Sequence, residues 1–272
     1  MERPIVTLTS DFGLSDHFVG TMKGVILNIA PHAEIVDICH SVEPFNILDG
    51  ALTIAAAYKY FPESTVHVVV VDPGVGSARR PIIAASHRHN FVAPDNGVLS
   101  MMYAREKRLE VRQVTSGHYL LETVSNTFHG RDIFAPVAAY LAKGVHPEKF
   151  GPGITDYVRF QAPKPKPVGA QTLRGVVLKV DRFGNLITNF TPQDIPAVFE
   201  TRTGFKISVG QREITALRAS YSEGARGEVF AILGSMGYLE ISANLGAADE
   251  LTGAAKGTEV QVELEDALAA GS

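Results

Sequence analysis

Short continuous apolar runs alternate with helix-period segments through the first 160 residues. Residues 5–8 read as a buried strand that runs into the polar turn 9–13 and then a helix over 18–29. A second apolar strand follows at 34–38. Ile47, Ala51, Ile54, Ala55 and Tyr58 fall at helical spacing, predicting a helix over 47–60 that Phe61-Pro62 ends. Residues 66–71 are almost entirely valine, and further strands are predicted at 82–86 and 90–93, with a turn at Pro94-Asp95-Asn96-Gly97. Helices over 98–106 and 133–141 complete this half. Strands without polar alternation, interleaved with helices, are what a parallel sheet covered on both faces requires. The expected fold is therefore an α/β layer, doubly wound, with a mainly parallel sheet.

The pattern then changes. Pro163, Pro165 and Pro167 lie in a stretch that cannot donate a regular ladder and favours a stiff extended connector. Beyond it come short alternating runs at 174–180, 206–209, 228–233, 238–242 and 259–263, separated by glycine-rich turns. These predict a smaller antiparallel β domain. The chain is thus divided into an α/β domain (1–161), a Pro-rich linker (162–172) and a β domain (173–272). No internal repeat has a fixed period.

Composition narrows the partners. The chain has 272 residues, 45% of them hydrophobic and 20% charged, which suits a globular fold with a sizeable core. A formal net charge of −4 offers no basic field for a phosphate backbone, so nucleic acid is not an expected partner. The start of the chain lacks the features of a secretory signal, and no segment has the ~20 apolar residues needed to span a bilayer. With Cys39 the single cysteine, no intramolecular disulfide or thiolate cluster is available, in keeping with a cytoplasmic protein.

Parallel sheets bind ligands beyond the carboxyl ends of their strands, so polar residues directly after apolar runs come first. Four such places occur. Thr9-Ser10-Asp11-Phe12-Gly13 puts a carboxylate where it can accept a ribose diol or cap a helix, capping being the ordinary role. In the segment from Val71 to Arg80, Asp72 ends the most apolar strand and Gly74-Val75-Gly76 leads to Arg79 and Arg80. The glycine spacing is not that of a phosphate loop, and an Asp beside an Arg is equally compatible with a structural ion pair. Thr127 to Phe134 places His129, Arg131 and Asp132 at a helix start, where the positive dipole end disfavours imidazolium. Asp181-Arg182-Phe183-Gly184-Asn185 follows a strand and offers an aromatic face with an amide, suited to an adenine ring or to an ordinary turn.

The remaining residues carry less chemistry. His87 and His89 make a poor metal set and are expected at the surface. Asp37-Ile38-Cys39-His40 shows no evident partner for a thiol triad, and no G-x-S-x-G elbow exists.

Taken in order, SDFG, DxCHSVxPF, VVDPGVGSxRR, APDNG, FHGRDIFAP, DxFGNLxTN and GSMGYLEIS resemble the S-adenosyl-L-methionine hydroxide adenosyltransferase family, relatives of the fluorinase and chlorinase. The resemblance spans both halves of the chain. It implies a Rossmann-like N-terminal domain, a β-barrel-like C-terminal domain and a homotrimer with its small-molecule site between neighbouring subunits. It implies Asp72, Arg79 and His129 as the catalytic trio that positions and deprotonates water. It also assigns Asp11 to the ribose diol, Phe45 to a platform under the sugar, and Phe183 and Asn185 to adenine, with Tyr221 lining the adenine end. Asp16, Asp181 and Ser235 match positions holding the methionine part. The halogenases keep an Arg after that Ser, where this chain has Met236.

Fluorinase-like chains place a Tyr where Asp72 stands and Tyr-Ser where His129-Gly130 stand, so the resemblance implies water or hydroxide as nucleophile. No cofactor is implied. A sulfonium leaves as a neutral thioether and needs no general acid, so only the nucleophile needs help. Which of Asp72 and His129 takes the proton is left open by the sequence. Two other functions share these features: a chloride-using adenosyl transferase, and a binding protein for adenosine or S-adenosyl-L-methionine that does no chemistry.

Overall fold

A computed structural model describes residues 3–264 of the chain. The chain separates into two compact units, 1–161 and 162–272, each with its own core. The fold is mixed α/β with two sheets.

The first unit holds β1 (Ile5–Ser10), α1 (Phe18–Ile29), β2 (Glu34–Cys39), α2 (Ile47–Ala57), β3 (Val66–Val70), β4 (Pro81–Ser86), β5 (Asn90–Pro94), α3 (Ser100–Tyr103), β6 (Leu109–Gln113), α4 (Ala135–Ala142) and β7 (Gly153–Ile154). Its sheet runs β2-β1-β3-β5-β4-β6-β7. The pairings β2/β1, β1/β3 and β3/β5 are parallel, and the other three are antiparallel. Along β3 and just past it, Val66, Val68 and Val70 pack on one face with α1 and α4, while Val69 and Val71 join α2 and α3 on the other. Burial on both faces is why that strand reads as almost continuous valine, interrupted only by His67. Gly50 lets α2 come close: a Cβ there would lie 2.9 Å from Val71 Cγ2 and 3.1 Å from Val98 Cγ2. Asn46 caps α2, accepting the Asp49 N–H at 3.2 Å.

Several boundaries differ from the sequence pattern. The helix expected over 98–106 is only the four-residue α3, because Arg105 and Glu106 turn away to bond the Ala55 carbonyl and the Tyr58 hydroxyl. The helix expected from 133 begins as a π-helical turn, Gly130–Phe134, before α4. The short strands β6 and β7 were not expected; with two to five residues each they leave too little pattern to read.

The second unit contains β8 (Lys166–Pro167), β9 (Thr172–Val180), β10 (Leu186–Thr188), α5 (Pro196–Thr201), β11 (Phe205–Val209), β12 (Arg212–Ile214), β13 (Leu217–Arg218), β14 (Val229–Leu233), β15 (Leu239–Ala243), α6 (Ala248–Thr252) and β16 (Glu259–Leu264). Its sheet follows the path β12-β11-β16-β9-β10-β15-β14-β13, with β8 added beside β9. Two features correct the expected all-β antiparallel domain: α5 and α6 are helical, and β13/β14 pair in parallel. The linker is also not free of ladders. Lys166 pairs with Arg174 and Pro167 with Leu173, an arrangement open to proline because β8 is an edge. The last expected residues of the β domain, 265–272, lie outside the described residues.

His87 is exposed, as expected, but His89 is only 2% exposed and belongs to a buried aromatic group with Tyr58, His67 and Phe91. The turn that reverses the chain between β4 and β5 carries its ring inward. His67 stacks on Phe91 with centroids 5.0 Å apart, and its Nδ1 meets Thr7 Oγ1 at 2.7 Å. Burial, aided by repulsion from His89, pushes the His67 pKa down to about 3. Burial lowers His89 as well. The unfolded chain therefore binds more protons than the folded one below the ordinary value of 6.5. The contribution of this group to stability is fully present above that pH and erodes as pH falls toward 3, by about 1.4 kcal/mol per pH unit. Urea unfolding at pH 7 and pH 5 should show this loss, and His67→Gln, which cannot titrate, should reduce it; equal pH dependence in both proteins would contradict the assignment.

Candidate functional site

The strand order β2-β1-β3 sends the chain from β1 outward to β2 and back past it to β3. The crevice beyond the carboxyl ends of β1 and β3 is consequently the switch point of the sheet. Ser10 ends β1 there with Asp11 directly after it, and Asp72 lies two residues beyond β3. A pocket of about 120 Å³ opens at this place, lined by Phe12, Phe18, Asp72, Val75, Phe128 and His129 among others. Larger grooves of about 620 and 770 Å³ lie at the opposite ends of the strands, around Pro4 and Ala142, and carry none of the four sequence clusters.

Asp72, Arg79 and His129 meet at this pocket, although the sequence separates the first and last by 57 positions. Arg79 Nε donates to both Asp72 oxygens, at 3.0 and 2.9 Å, and Nη2 donates to Oδ2 at 2.5 Å. The same Nη2 lies 2.6 Å from His129 Nδ1. Arginine has donors only, so Nδ1 must be the acceptor and a neutral His129 carries its proton on Nε2. Burial lowers the His129 pKa, and the Arg79 charge lowers it further, against a smaller opposing effect of Asp72 and Asp132. The guanidinium sits 5.2 Å from the centroid of the buried Phe134 ring, and its Nη1 is buried with no acceptor among the described residues.

Local sequence explains how the two loops come together. Gly76 has φ +77°, and a Cβ there would collide with the Asn126 carbonyl, so only glycine lets the loop after Asp72 lie against the segment leading to His129. Asp132 then fixes that segment, accepting the Ser125 N–H at 2.8 Å and pairing with Arg131 at 2.6 Å. Burial alone would raise the Asp132 pKa, but the bonds from Arg131 and Ser125 outweigh it and hold the carboxyl low. Arg131 and Asp132 therefore pair with one another instead of joining the pocket trio. The π-helical turn at Gly130 brings Phe128 against Phe12 and Phe18, at centroid distances of 6.1 and 5.1 Å. These three rings are the main feature that residue-by-residue reading of the sequence missed; Phe12 and Phe128 directly flank Asp11 and His129, which is the signal that could have shown them.

Asp11 Oδ2 accepts the Phe45 N–H at 2.8 Å, so the ribose candidate and the platform candidate are adjacent. Phe45 has φ +65° with its ring 72% exposed. A non-glycine residue in that region costs about 1–3 kcal/mol, which is unusual for an apolar ring with nothing to pack on. Asp16 is exposed, with Ser15 as its hydroxyl neighbour at 3.4 Å.

The other candidates lie in the second unit. Asp181 accepts the N–H groups of Phe183 and Asn185 at 2.8 and 2.9 Å and the Asn185 side-chain amide at 2.8 Å. Asn185 is thereby held with its amide donor engaged and is buried, while the Phe183 ring is 76% exposed. Tyr221 donates to Glu240 at 3.3 Å, and Glu240 is a buried carboxyl whose pKa burial raises. Ser235 is exposed and Met236 half-buried in the turn between β14 and β15. A Cβ at Gly234 would meet the Glu240 side chain, so the glycine leaves room for that carboxyl.

Known proteins share this whole arrangement of sequence. Residues 6–151 match the SAM hydroxide adenosyltransferase N-terminal domain and residues 175–261 the C-terminal domain. The (R)-S-adenosyl-L-methionine hydrolase of Thermus thermophilus is 36% identical over 96% of this chain and 99% of its own length. That of Methanocaldococcus jannaschii is 35% identical over 91% of each. A fluorinase from Nocardia brasiliensis is 29% identical over 96% of this chain and 97% of its own. Among solved structures, an uncharacterized conserved protein from Thermotoga maritima superposes with a TM-score of 0.87 at 37% identity, covering 95% of this chain and 99% of that one. With both domains matched across most of its length and hydrolases of this kind above 30% identity, the chain belongs to the SAM hydroxide adenosyltransferase family.

Proposed function

We propose that this protein hydrolyses S-adenosyl-L-methionine to adenosine and L-methionine, with water or hydroxide attacking the ribose 5′ carbon. The observation that carries the proposal is the Asp72–Arg79–His129 cluster at the rim of a small aromatic pocket, in a chain 33–36% identical to (R)-S-adenosyl-L-methionine hydrolases. In the reaction a C–O bond forms at the 5′ carbon while the C–S bond breaks, its electron pair going to sulfur as methionine leaves. The attacking water must lose one proton. His129 Nδ1 is occupied by Arg79, so Nε2–H is suited to hold the water oxygen instead of taking its proton. Asp72 Oδ1, which accepts a single N–H, retains capacity for that proton. Nothing in this set must be reorganised at the moment of attack.

The finer architecture follows the same reading: a Rossmann-like first unit and a curled, barrel-like second unit. The ribose is assigned to Asp11 and Phe45, adenine to Phe183, Asn185 and Tyr221, and the methionine part to Asp16, Asp181, Ser235 and Met236. A homotrimer, with the site completed by a neighbouring subunit, gives the exposed rings of Phe45 and Phe183 something to cover. The protein is read as cytoplasmic and free of cofactors; among the described residues no helix is long and apolar enough to cross a membrane.

Incubation with S-adenosyl-L-methionine in chloride or fluoride buffer should release adenosine and methionine in equal amounts. A 5′-halo-adenosine product would replace the nucleophile, and absence of any product would leave a binding protein. Asp72→Ala should lower turnover at least about a hundredfold while retaining adenosine binding; unchanged turnover would remove Asp72 from the chemistry. The pH profile should have an acid limb, because protonating His129 breaks its bond from Arg79. Since its pKa is lowered, that limb should fall below the ordinary imidazole value of 6.5. A limb above it, or one unmoved by His129→Asn, would count against this role.

A further inference from the structure

The segment Asp37-Ile38-Cys39-His40 has no part in the chemistry above, yet it holds a buried polar contact near the site. His40 Nδ1 lies 2.7 Å from Ser10 Oγ, both residues being buried. His40 Nε2 faces Asp37 Oδ1 at 3.1 Å, and Asp37 Oδ2 takes the Lys23 ammonium at 2.6 Å. Serine, histidine and aspartate in this order resemble a nucleophile with its base. The environment contradicts that use: Ser10 is 2% exposed, it does not line the pocket, and its Oγ also faces the Phe12 N–H at 3.4 Å.

The contacts instead tie two loops together. The His40 carbonyl accepts the Gly13 N–H at 2.7 Å, and the Ser10 carbonyl accepts the Val42 N–H at 3.4 Å. Asp11 closes the same seam by accepting the Phe45 N–H. Phe12, between Ser10 and Gly13, is a wall of the pocket that contains Asp72 and His129. The seam therefore fixes the carboxylate and aromatic platform assigned to the ribose relative to the pocket. Through the bond from the Phe45 N–H to Asp11 it also ties down Phe45, whose backbone is left-handed.

We infer that His40, acting through Ser10, is a positioning residue that sets the ribose-binding loops, with Asp37 and Lys23 orienting its ring from outside. This rests on the proposed function for the identity of the ligand but not for the coupling. The carboxylate of Asp37 accepts only, so it favours the His40 ring with its proton on Nε2 and Nδ1 open to the Ser10 hydroxyl. The groups that face the ring are thus Ser10 on β1 and Asp37 on β2, with Lys23 of α1 reaching Asp37.

The test is a double-mutant cycle of Ser10→Ala and His40→Ala, read as KM and kcat separately. Each single change should raise KM for S-adenosyl-L-methionine about tenfold with kcat changed less than about threefold. The double variant should be no worse than either single one, because both remove the same link. His40→Asn, whose side-chain oxygen can take the place of Nδ1, should recover most of the loss. Effects that multiply in the double variant, or fall on kcat alone, would overturn the inference. Amide hydrogen exchange reads the coupling without ligand and without turnover: in Ser10→Ala, which removes only a hydroxyl, Phe12, Gly13 and Phe45 should exchange faster while residues 135–142 do not. Uniformly faster exchange would show a general loss of stability and would also overturn it. If the parent protein released no adenosine, the proposed function would fall, and the exchange experiment would still decide this point.

Discussion

One guanidinium organises the first unit's working end. Arg79 is a buried cation, and a buried cation is tolerated only when its donors are met by matched acceptors. Asp72 and His129 meet most of them, and each is delivered by a different part of the fold: Asp72 by the end of β3, His129 by the turn into α4. The requirement explains features that look unrelated. Gly76 must be glycine so that the two loops can touch, Asp132 must pin Ser125, and the helix must begin with a π turn that seats Phe128 and Phe134 around the pair. The same bond fixes the histidine tautomer, and with it the direction in which a proton can move.

The aromatic wall acts in the same sense. Phe12, Phe18 and Phe128 surround a small space beside an ion pair whose charges cancel, so the pocket has no net charge with which to attract an anion. Electrostatic interactions strengthen in such low-dielectric surroundings. The chemistry then asks little of the protein beyond holding one water on line and accepting its proton.

Much of this was legible in the sequence. The nearly continuous valines of β3, the helical spacing in α1 and α2, and the change of pattern after the three prolines all report burial, which follows directly from side-chain type. Asp72, Arg79 and His129 were identifiable because each directly follows or precedes such an element, and because their motifs occur together. What could not be read was partnership across the sheet. His40 and Ser10 are thirty positions apart and joined by β1/β2 pairing, and neither has a neighbour in sequence that suggests the other. His89 was misplaced for a related reason: its burial depends on Tyr58 and His67, residues from α2's end and β3. Short strands such as β7 and β13 exist only because a longer neighbour offers them a ladder.

In this mechanism water supplies the oxygen that replaces methionine's sulfur on the 5′ carbon. Running the reaction in water enriched in the heavy oxygen isotope tests this most directly. One labelled oxygen should appear in adenosine, at the 5′ hydroxyl, and none in methionine. Unlabelled adenosine, or label in the methionine carboxylate, would contradict the account.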